Sequence, residues 1–315
     1  MIDISDKLKE KLKQIPEQPG IYRMMDNKGN IIYVGKSKCL KKRVKTYFAN
    51  NPKWEKVNRM VMLIDNIDYT VTDTHLEARL LECSLIKSIK PIFNSQMKND
   101  RRYVYLKVED YNRHNALRAV GERVENSFGP FRTKGILFEI IDSMKNLYPV
   151  QKTSQGYQFE YHLFPKPMDR EMFNENRKAL LELFSNVKNL DEFIDSLQTK
   201  MKEESSGCSF ETAAMYRNMM QNMKRLRDAL ARYEDVMSRD ILLKIPLKEG
   251  YKLFYISKGS IVLKEKFADV SDSIIKSFTE KAAISELAYT AEMDEKSQLD
   301  YRDILYSEIT SLMEE

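Results

Sequence analysis

The sequence predicts an α+β fold: a small antiparallel sheet flanked by helices, then a helical hairpin, and then a small α/β C-terminal region. Two β-rich runs, residues 20–26 and 30–35, lie on either side of a glycine-containing turn, which is typical of a β-hairpin. Leu40, Val44 and Phe48 then recur at helical spacing. These observations indicate that strands and helices alternate in one N-terminal unit.

A third strand is predicted over residues 67–71, and a helix follows it directly. Thr74 and Glu77 have the spacing of a capping box, in which each side chain satisfies an exposed backbone N–H group of the first turn. The helix should end before Pro91, because proline has no N–H group to donate. With the hairpin, these elements complete a predicted domain over residues 1–98.

Three further regions are predicted after this domain. Residues 99–190 form a connecting α/β region without a cysteine cluster, with a strand-like run from Tyr103 and a helical run from Gly135. Residues 191–232 carry two apolar stripes at helical spacing, which predicts a hairpin of two helices. Residues 233–315 contain a β-hairpin and then two amphipathic helices.

Composition limits the classes of function. The formal net charge is +5 over 315 residues, and the bases cluster early in the chain, so any contact with nucleic acid should be local. The three cysteines are far apart and lack metal-ligand spacing, which predicts a reducing compartment with neither zinc nor an iron–sulfur cluster. We find no signal-peptide pattern and no apolar run of membrane-spanning length, so we expect a cytoplasmic protein without membrane contact.

Several polar residues of the N-terminal domain should converge on this scaffold. Lys36 lies at the end of the second strand, and Arg43 and Tyr47 lie four positions apart on one helix face. Glu82 lies in the middle of the capped helix beside apolar residues, where a carboxylate is a poor choice for packing alone. Asn94 follows just past the end of that helix.

The ordered motifs resemble those of the GIY-YIG nucleases, and in particular the N-terminal half of the UvrC excinucleases and their short homologue Cho. In chain order the motifs are Pro19-Gly20-Ile21-Tyr22, Tyr33-Val34-Gly35-Lys36, Leu40 to Arg43 with Tyr47, Glu82 to Lys87, and Pro91 to Asn94. The resemblance implies one catalytic site lined by Tyr22, Tyr33, Lys36, Arg43, Tyr47, Glu82 and Asn94.

The resemblance also implies a metal-dependent DNA endonuclease that makes a single nick in damaged duplex during nucleotide excision repair. Glu82 would bind one Mg²⁺ or Mn²⁺, because a carboxylate is a hard oxygen ligand. Arg43 would bind the scissile phosphate, and Lys36 and Asn94 would serve as positioning groups. Tyr33 would be the general base with Tyr22 as its hydrogen-bonded partner, and Lys36 is expected to lower the pKa of Tyr33.

Two sets of residues are expected to contact macromolecules. The basic helix should contact DNA phosphates through Lys38, Lys41, Lys42 and Lys45. The helical hairpin is similar to the UVR motif, through which UvrC meets the helicase-like protein UvrB. Its apolar stripe should need a cover, so a UvrB-like partner is expected to bind Phe193, Leu197, Phe210, Ala214 and Met223.

Simpler explanations exist for each residue taken singly. Tyr22 and Tyr33 are ordinary residues for strands, Arg43 is ordinary on a solvated face, and Glu82 could pair with Arg79 one turn earlier. Two other functions also remain open at this point. One is a non-cleaving DNA-binding adaptor that docks on a UvrB-like protein, and the other is a GIY-YIG nuclease of branched DNA or mobile elements.

Overall fold

The computed structural model of the chain describes residues 5–49, 55–132, 134–288 and 295–313. The chain divides into two compact units. One unit comprises Met1–Asp100 together with Val236–Glu315, and the other comprises Arg101–Asp235. Among the helices of the described residues, none combines the length and the apolar character that a membrane crossing requires.

The first unit begins with a three-stranded antiparallel sheet. Its elements are α1 (Asp6–Gln14), β1 (Gly20–Met25), β2 (Ile31–Ser37), α2 (Leu40–Phe48), α3 (Glu55–Met62), β3 (Asn66–Val71) and α4 (His75–Ile89). The strand β1 is central and pairs antiparallel with both β2 and β3, so β2 is an edge strand. The predicted small antiparallel sheet with flanking helices is confirmed.

Both ends of α4 follow from local chemistry. At its start, Thr74 and Glu77 form the predicted capping box, with both reciprocal bonds present. At its end, Lys90 has a left-handed backbone with φ 53°, and its N–H group donates to the carbonyl oxygen of Ile86. Pro91 follows and cannot continue the helix. The helix is thereby fixed between residues 75 and 89.

The second unit contains one three-stranded sheet, one short hairpin and three long helices. Its elements are β4 (Val104–Val108), β5 (Leu117–Val120), β6 (Ser127–Phe131), α5 (Lys134–Met144), β7 (Gln151–Thr153), β8 (Gly156–Gln158), α6 (Arg170–Ser185), α7 (Val187–Ser206) and α8 (Phe210–Ser238). The sheet has the strand order β5-β4-β6. The predicted helical hairpin corresponds to α7 and α8.

The remaining elements lie in the C-terminal part of the chain. They are β9 (Ile241–Pro246), β10 (Tyr251–Ser257), β11 (Ser260–Phe267), α9 (Asp272–Ala288) and α10 (Glu295–Met313). The strands form an antiparallel sheet in the order β11-β10-β9. Lys258 and Gly259 connect β10 to β11 with φ values of 49° and 73°, the positive values that a tight hairpin turn requires.

The C-terminal elements share a core with α4. Leu76 and Cys83 of α4 are fully buried in a cluster with Ile304, Leu305 and Ile309 of α10. The sequence predicted residues 233–315 as a region of their own, whereas the structure groups Val236–Glu315 with the N-terminal domain. The reason is that apolar side chains of α4 pack against α10 and the C-terminal sheet in this one cluster.

Candidate active site

The two motif glycines are required by close packing around the first hairpin. Gly35 lies directly opposite Tyr22 in the pairing of β1 with β2. A Cβ atom on Gly35 would lie 2.3 Å from the hydroxyl oxygen of Tyr22 and 2.4 Å from its Cζ atom. A Cβ atom on Gly20 would lie 2.3 Å from the carbonyl oxygen of Thr70. The missing side chain at Gly35 therefore makes room for the Tyr22 ring, and the missing side chain at Gly20 allows β3 to approach closely.

Three tyrosines form one cluster on this face of the sheet. The hydroxyl groups of Tyr22 and Tyr47 are 2.8 Å apart, and the Tyr47 hydroxyl donates to that of Tyr33 at 3.4 Å. The ring centroids lie 5.9 to 6.1 Å from one another. Tyr22 and Tyr47 are buried, whereas Tyr33 is only half-buried. Tyr33 is thus the member of the cluster that a solvent molecule or substrate can reach most easily.

Arg43 brings a positive charge to the tyrosine cluster. It lies one turn before Tyr47 on α2, and its guanidinium carbon is 5.1 Å from the centroid of the Tyr47 ring. The Arg43 residue as a whole is exposed. The planar guanidinium fork of an arginine can donate two parallel hydrogen bonds to a phosphate group.

The pKa values of Tyr22 and Tyr33 both lie above their usual range. Burial raises the pKa of Tyr22 well above its usual range, and the neighbouring hydroxyls of Tyr33 and Tyr47 add to this. Burial likewise raises the pKa of Tyr33, and the Arg43 charge opposes the rise. The prediction that Lys36 lowers the pKa of Tyr33 is therefore corrected. Side chains alternate along β2, so Lys36 and Tyr33 point to opposite faces of the sheet.

The free edge of β2 holds two of the predicted site residues. The N–H group of Val34 donates to Oδ1 of Asn94 at 3.0 Å, and Nδ2 of Asn94 donates to the carbonyl oxygen of Val34 at 2.8 Å. Lys36 lies two positions further along the same edge, and its N–H group donates to Oε1 of Glu82 at 3.0 Å. Backbone groups that an edge strand leaves unpaired thus fix both side chains beside the hairpin.

Glu82 has the chemistry of a divalent-cation ligand. Its Oε1 accepts the Lys36 N–H group, and among the residues that the structure describes its Oε2 has no hydrogen bond. Burial raises the pKa of this carboxyl, and the charges of Lys36, Arg79 and Arg43 oppose that rise. Within the described ranges no three His, Cys, Asp or Glu residues are grouped to hold a metal. A carboxylate with one oxygen outside hydrogen bonds fits Mg²⁺, which is commonly held by one or two carboxylates with water and phosphate oxygens.

Lys36 lies beside Glu82 on the outer side of the hairpin. Burial lowers the pKa of its ammonium group, and the charge of Arg79 acts in the same direction, while Glu82 opposes them. His75, at the start of α4, lies near the same positive charges. Burial and the charges of Lys36 and Arg79 lower its pKa to about 4. This corner of the site therefore combines several positive charges with the Glu82 carboxylate, and the charge of Glu308 also acts on Lys36.

The four lysines predicted to contact DNA lie on and just before α2. Lys38, Lys42 and Lys45 are exposed and Lys41 is half-buried. Across the described part of the chain, none of the four takes part in an ion pair. Lys41, Lys42 and Lys45 lie on the same helix as Arg43, and Lys38 lies just before it, so a DNA backbone bound along α2 would pass the tyrosine cluster.

The residues predicted to bind a partner do not form one open stripe. Phe193, Leu197 and Met223 are fully buried in the core of the second unit. Phe193 packs against Tyr157 and Phe159, with ring centroids 5.6 and 5.3 Å away. The expectation that a partner covers them is therefore corrected: all three lie within the core of this unit, and Tyr157 of β8 and Phe159 just after it pack on Phe193. Ala214 is half-buried, and Phe210 is 66% exposed at the start of α8.

Comparisons with known proteins agree with the sequence motifs. A family model described as the UvrC-like GIY-YIG domain matches residues 18–95. UvrABC system protein C of Acetivibrio thermocellus is 32% identical over 307 residues, which cover 90% of this chain and 49% of that protein. The protein of the same name from Alkaliphilus oremlandii is 32% identical over 301 residues, covering 86% of this chain and 48% of that protein.

A solved structure is also similar to the N-terminal part of the chain. It is the GIY-YIG N-terminal endonuclease domain of UvrC from Thermotoga maritima bound to its catalytic divalent cation, magnesium. The two sequences are 36% identical over 29% of this chain and 100% of that chain, with a TM-score of 0.27.

The N-terminal sheet with its tyrosine cluster therefore defines a GIY-YIG domain. Residues 18–95 belong to the UvrC-like family of these domains, which confirms the resemblance predicted from the motifs. The chain spans about half the length of the curated relatives it matches.

Sequence reasoning missed an ion pair that lies one helical turn from Glu82. Arg79 was considered only as an ion-pair partner of Glu82, whereas its Nη1 lies 3.0 Å from Oε2 of Glu308 in α10. Glu308 itself carries no motif and lies far along the chain, so no local pattern could have connected it with the nuclease domain.

Proposed function

We propose that the chain is a metal-dependent DNA endonuclease that hydrolyses one phosphodiester bond, acting in the cytoplasm in the incision step of nucleotide excision repair. One observation carries this proposal. The tyrosine cluster, the Arg43 guanidinium and the Glu82 carboxylate lie around one edge of a single β-hairpin. Phosphodiester hydrolysis needs the three functions that these groups offer: a proton acceptor, a donor to phosphate oxygens and a cation ligand.

Arg43 binds the scissile phosphate in this proposal. Arg43 is an exposed residue whose guanidinium lies over the Tyr47 ring, and its planar fork matches two phosphate oxygens, which a lysine could not do. Because it stabilises charge that builds up in the transition state, Arg43→Ala should slow cleavage by about 10²-fold or more. Lys36 and Asn94 position the edge of β2, and Lys36 adds positive charge beside the phosphate.

Tyr33 is the proposed general base, with Tyr22 and Tyr47 as its hydrogen-bonded partners. It is the least buried of the three hydroxyls, and its pKa is raised by burial. A tyrosine is a base only as the phenolate, so positive charge beside Tyr33 must lower its pKa before it can accept a proton. Arg43 supplies part of that charge. The short chain from Tyr33 through Tyr47 to Tyr22 can share the charge of a deprotonated oxygen by hydrogen bonding.

Glu82 is the proposed ligand of one Mg²⁺ or Mn²⁺ ion. When bound, such an ion supplies Lewis-acid polarisation of phosphate oxygens and lowers the pKa of water. The chain contributes a carboxylate that the N–H group of Lys36 holds in place through one oxygen, which leaves the other oxygen for the cation.

Two binding surfaces complete the proposal. DNA phosphates lie along α2 and contact Lys38, Lys41, Lys42 and Lys45. A UvrB-like protein docks at the start of α8, where Phe210 is exposed; Ala214 lies one turn further along. Phe193, Leu197 and Met223 support that surface from the core and do not touch the partner.

The non-cleaving adaptor and the branched-DNA nuclease remain competing functions, and one assay separates all three. A damaged duplex labelled on both strands is incubated with the chain in Mg²⁺, in Mn²⁺ or in EDTA, with and without a UvrB-like protein. A single nick near the lesion that requires the metal supports the proposal. Binding without any nick supports the adaptor, and cleavage of undamaged branched duplex in preference to the lesion supports the second nuclease class.

A further inference from the structure

Arg79 is held away from the Glu82 carboxylate by the C-terminal helix. The two residues lie three positions apart on α4, a spacing at which side chains of opposite charge commonly pair. Arg79 instead places Nη1 3.0 Å from Oε2 of Glu308 and donates from Nη2 to the Ser307 hydroxyl. Both charged side chains are largely buried, at 19% and 15% exposed. The Arg79 charge nevertheless reaches Glu82, whose pKa it lowers against the rise due to burial.

A second contact fixes α10 to α4 on the other side of Glu82. Nζ of Lys87 lies 2.7 Å from Oδ2 of Asp300 and 2.6 Å from Oδ1 of Asp100. Asp300 is fully buried. Between these polar anchors, Cys83 packs into the apolar core that α4 shares with α10. The helix that carries Glu82 is therefore held by α10 on both sides of that residue.

Loss of Glu308 would leave a partly buried guanidinium without its carboxylate. A buried charge without a partner is strongly unfavourable, so Arg79 would move toward the nearest acceptor. Glu82 lies one helical turn away, and its Oε2 has no hydrogen bond among the described residues. Arg79 would then occupy the oxygen that the proposed function assigns to the divalent cation.

We propose that Glu308 is a positioning residue of the nuclease site: by binding Arg79 it keeps Oε2 of Glu82 available to a divalent cation. This inference rests on the proposed metal site, and it assigns a role in that site to the C-terminal helix, which lies outside the residues matched by the GIY-YIG family.

The test measures Mn²⁺ binding to the full chain without DNA. Binding is followed by the enhancement of water-proton relaxation that the bound ion causes. Glu308→Gln should weaken binding by about tenfold, the size expected when a charge-assisted hydrogen bond competes for the ligand. The double variant Arg79→Gln, Glu308→Gln should recover the wild-type affinity, because the competing cation is gone. Glu308→Asp keeps the carboxylate and should bind more tightly than Glu308→Gln.

The controls separate this inference from the metal site itself. Glu82→Ala should abolish the binding, and thermal unfolding should show that each variant is folded. If wild type and Glu82→Ala bind Mn²⁺ equally, the metal site is refuted, and this inference with it. If only Glu82→Ala loses binding, while Glu308→Gln binds as wild type does, the metal site stands and the positioning role is refuted. A double variant as weak as Glu308→Gln would also refute it, because Arg79 would not be the competitor.

Discussion

Replacing Gly35 by alanine tests whether the motif glycine exists to admit the Tyr22 ring. The added Cβ atom would lie 2.3 Å from the Tyr22 hydroxyl oxygen, whereas ordinary contact begins at 3.4 Å. The ring must therefore move by about 1 Å, the difference between these two distances. Tyr22 is 1% exposed and bonded to Tyr47 at 2.8 Å, so it cannot move without breaking that bond or displacing the core.

The expected cost follows from these two contributions. Overpacking a close-packed core costs about 1–3 kcal/mol, and a weakened hydrogen bond adds about 1 kcal/mol. Gly35→Ala should therefore lower the free energy of unfolding by about 2–4 kcal/mol. The measurement is urea unfolding followed by circular dichroism, with Gly135→Ala as the matched control. Gly135 lies in α5, and a Cβ atom added there would meet no neighbouring atom within 4 Å, so its replacement should cost nothing.

A double-mutant cycle isolates the clash. Once Tyr22 has been replaced by alanine, the ring is gone, and adding Gly35→Ala should cost little more. The reasoning would be refuted by a Gly35→Ala protein as stable as wild type. It would equally be refuted if the cost of Gly35→Ala stayed the same in the presence and absence of the Tyr22 ring.

Three further predictions concern DNA, the partner and pH. The first variant replaces four lysines together by glutamine: Lys38, Lys41, Lys42 and Lys45. The dependence of DNA affinity on salt concentration should then fall by roughly one unit of log–log slope per lost phosphate contact. An unchanged slope would show that these lysines are merely solvated. Phe210→Ala should weaken association with a UvrB-like protein by a few kcal/mol in calorimetry while leaving thermal stability unchanged, because the side chain is exposed. Phe193→Ala should instead lower stability by about 3–5 kcal/mol, because that ring is fully buried. Burial raises the pKa of Glu82 in the folded protein above its ordinary value of 4.5. Ionising this carboxyl therefore lowers the free energy of unfolding as the pH rises through the raised pKa. Without added metal, the melting temperature of Glu82→Gln should therefore exceed that of wild type near pH 8 and equal it near pH 4. The same difference in melting temperature at both pH values would contradict the burial of the charge as its cause.

Local features of the fold could be predicted from the sequence because their causes lie within a few residues. The hairpin of β1 and β2 depends on one turn, and the start of α4 depends on Thr74 and Glu77. The ordered motifs predicted which residues line the site, and the structure brings Tyr22, Tyr33 and Tyr47 together and places Glu82 and Asn94 at the edge of β2. The C-terminal hairpin at Gly259 was predictable for the same reason, since its turn residues are adjacent.

The remainder depends on contacts between distant segments. Asn94 bonds to Val34 across 60 positions, and Arg79 bonds to Glu308 across 229. No periodicity within one segment reports such contacts. The apolar stripe that includes Phe193 could be predicted from the sequence. The elements that pack on Phe193 could not, because β7 and β8 have three residues each and show little strand pattern.

Cleavage by the Glu82→Ala variant tests the central claim most directly. The wild-type chain and the variant are compared on the same damaged duplex in Mg²⁺, at protein concentrations that saturate binding, with DNA affinity measured alongside. The account predicts a single metal-dependent nick by wild type and none by Glu82→Ala, with nearly equal affinity, because the lost carboxylate binds the cation and not the phosphate backbone. Cleavage by Glu82→Ala at the wild-type rate would contradict the assignment of this site as a one-metal nuclease.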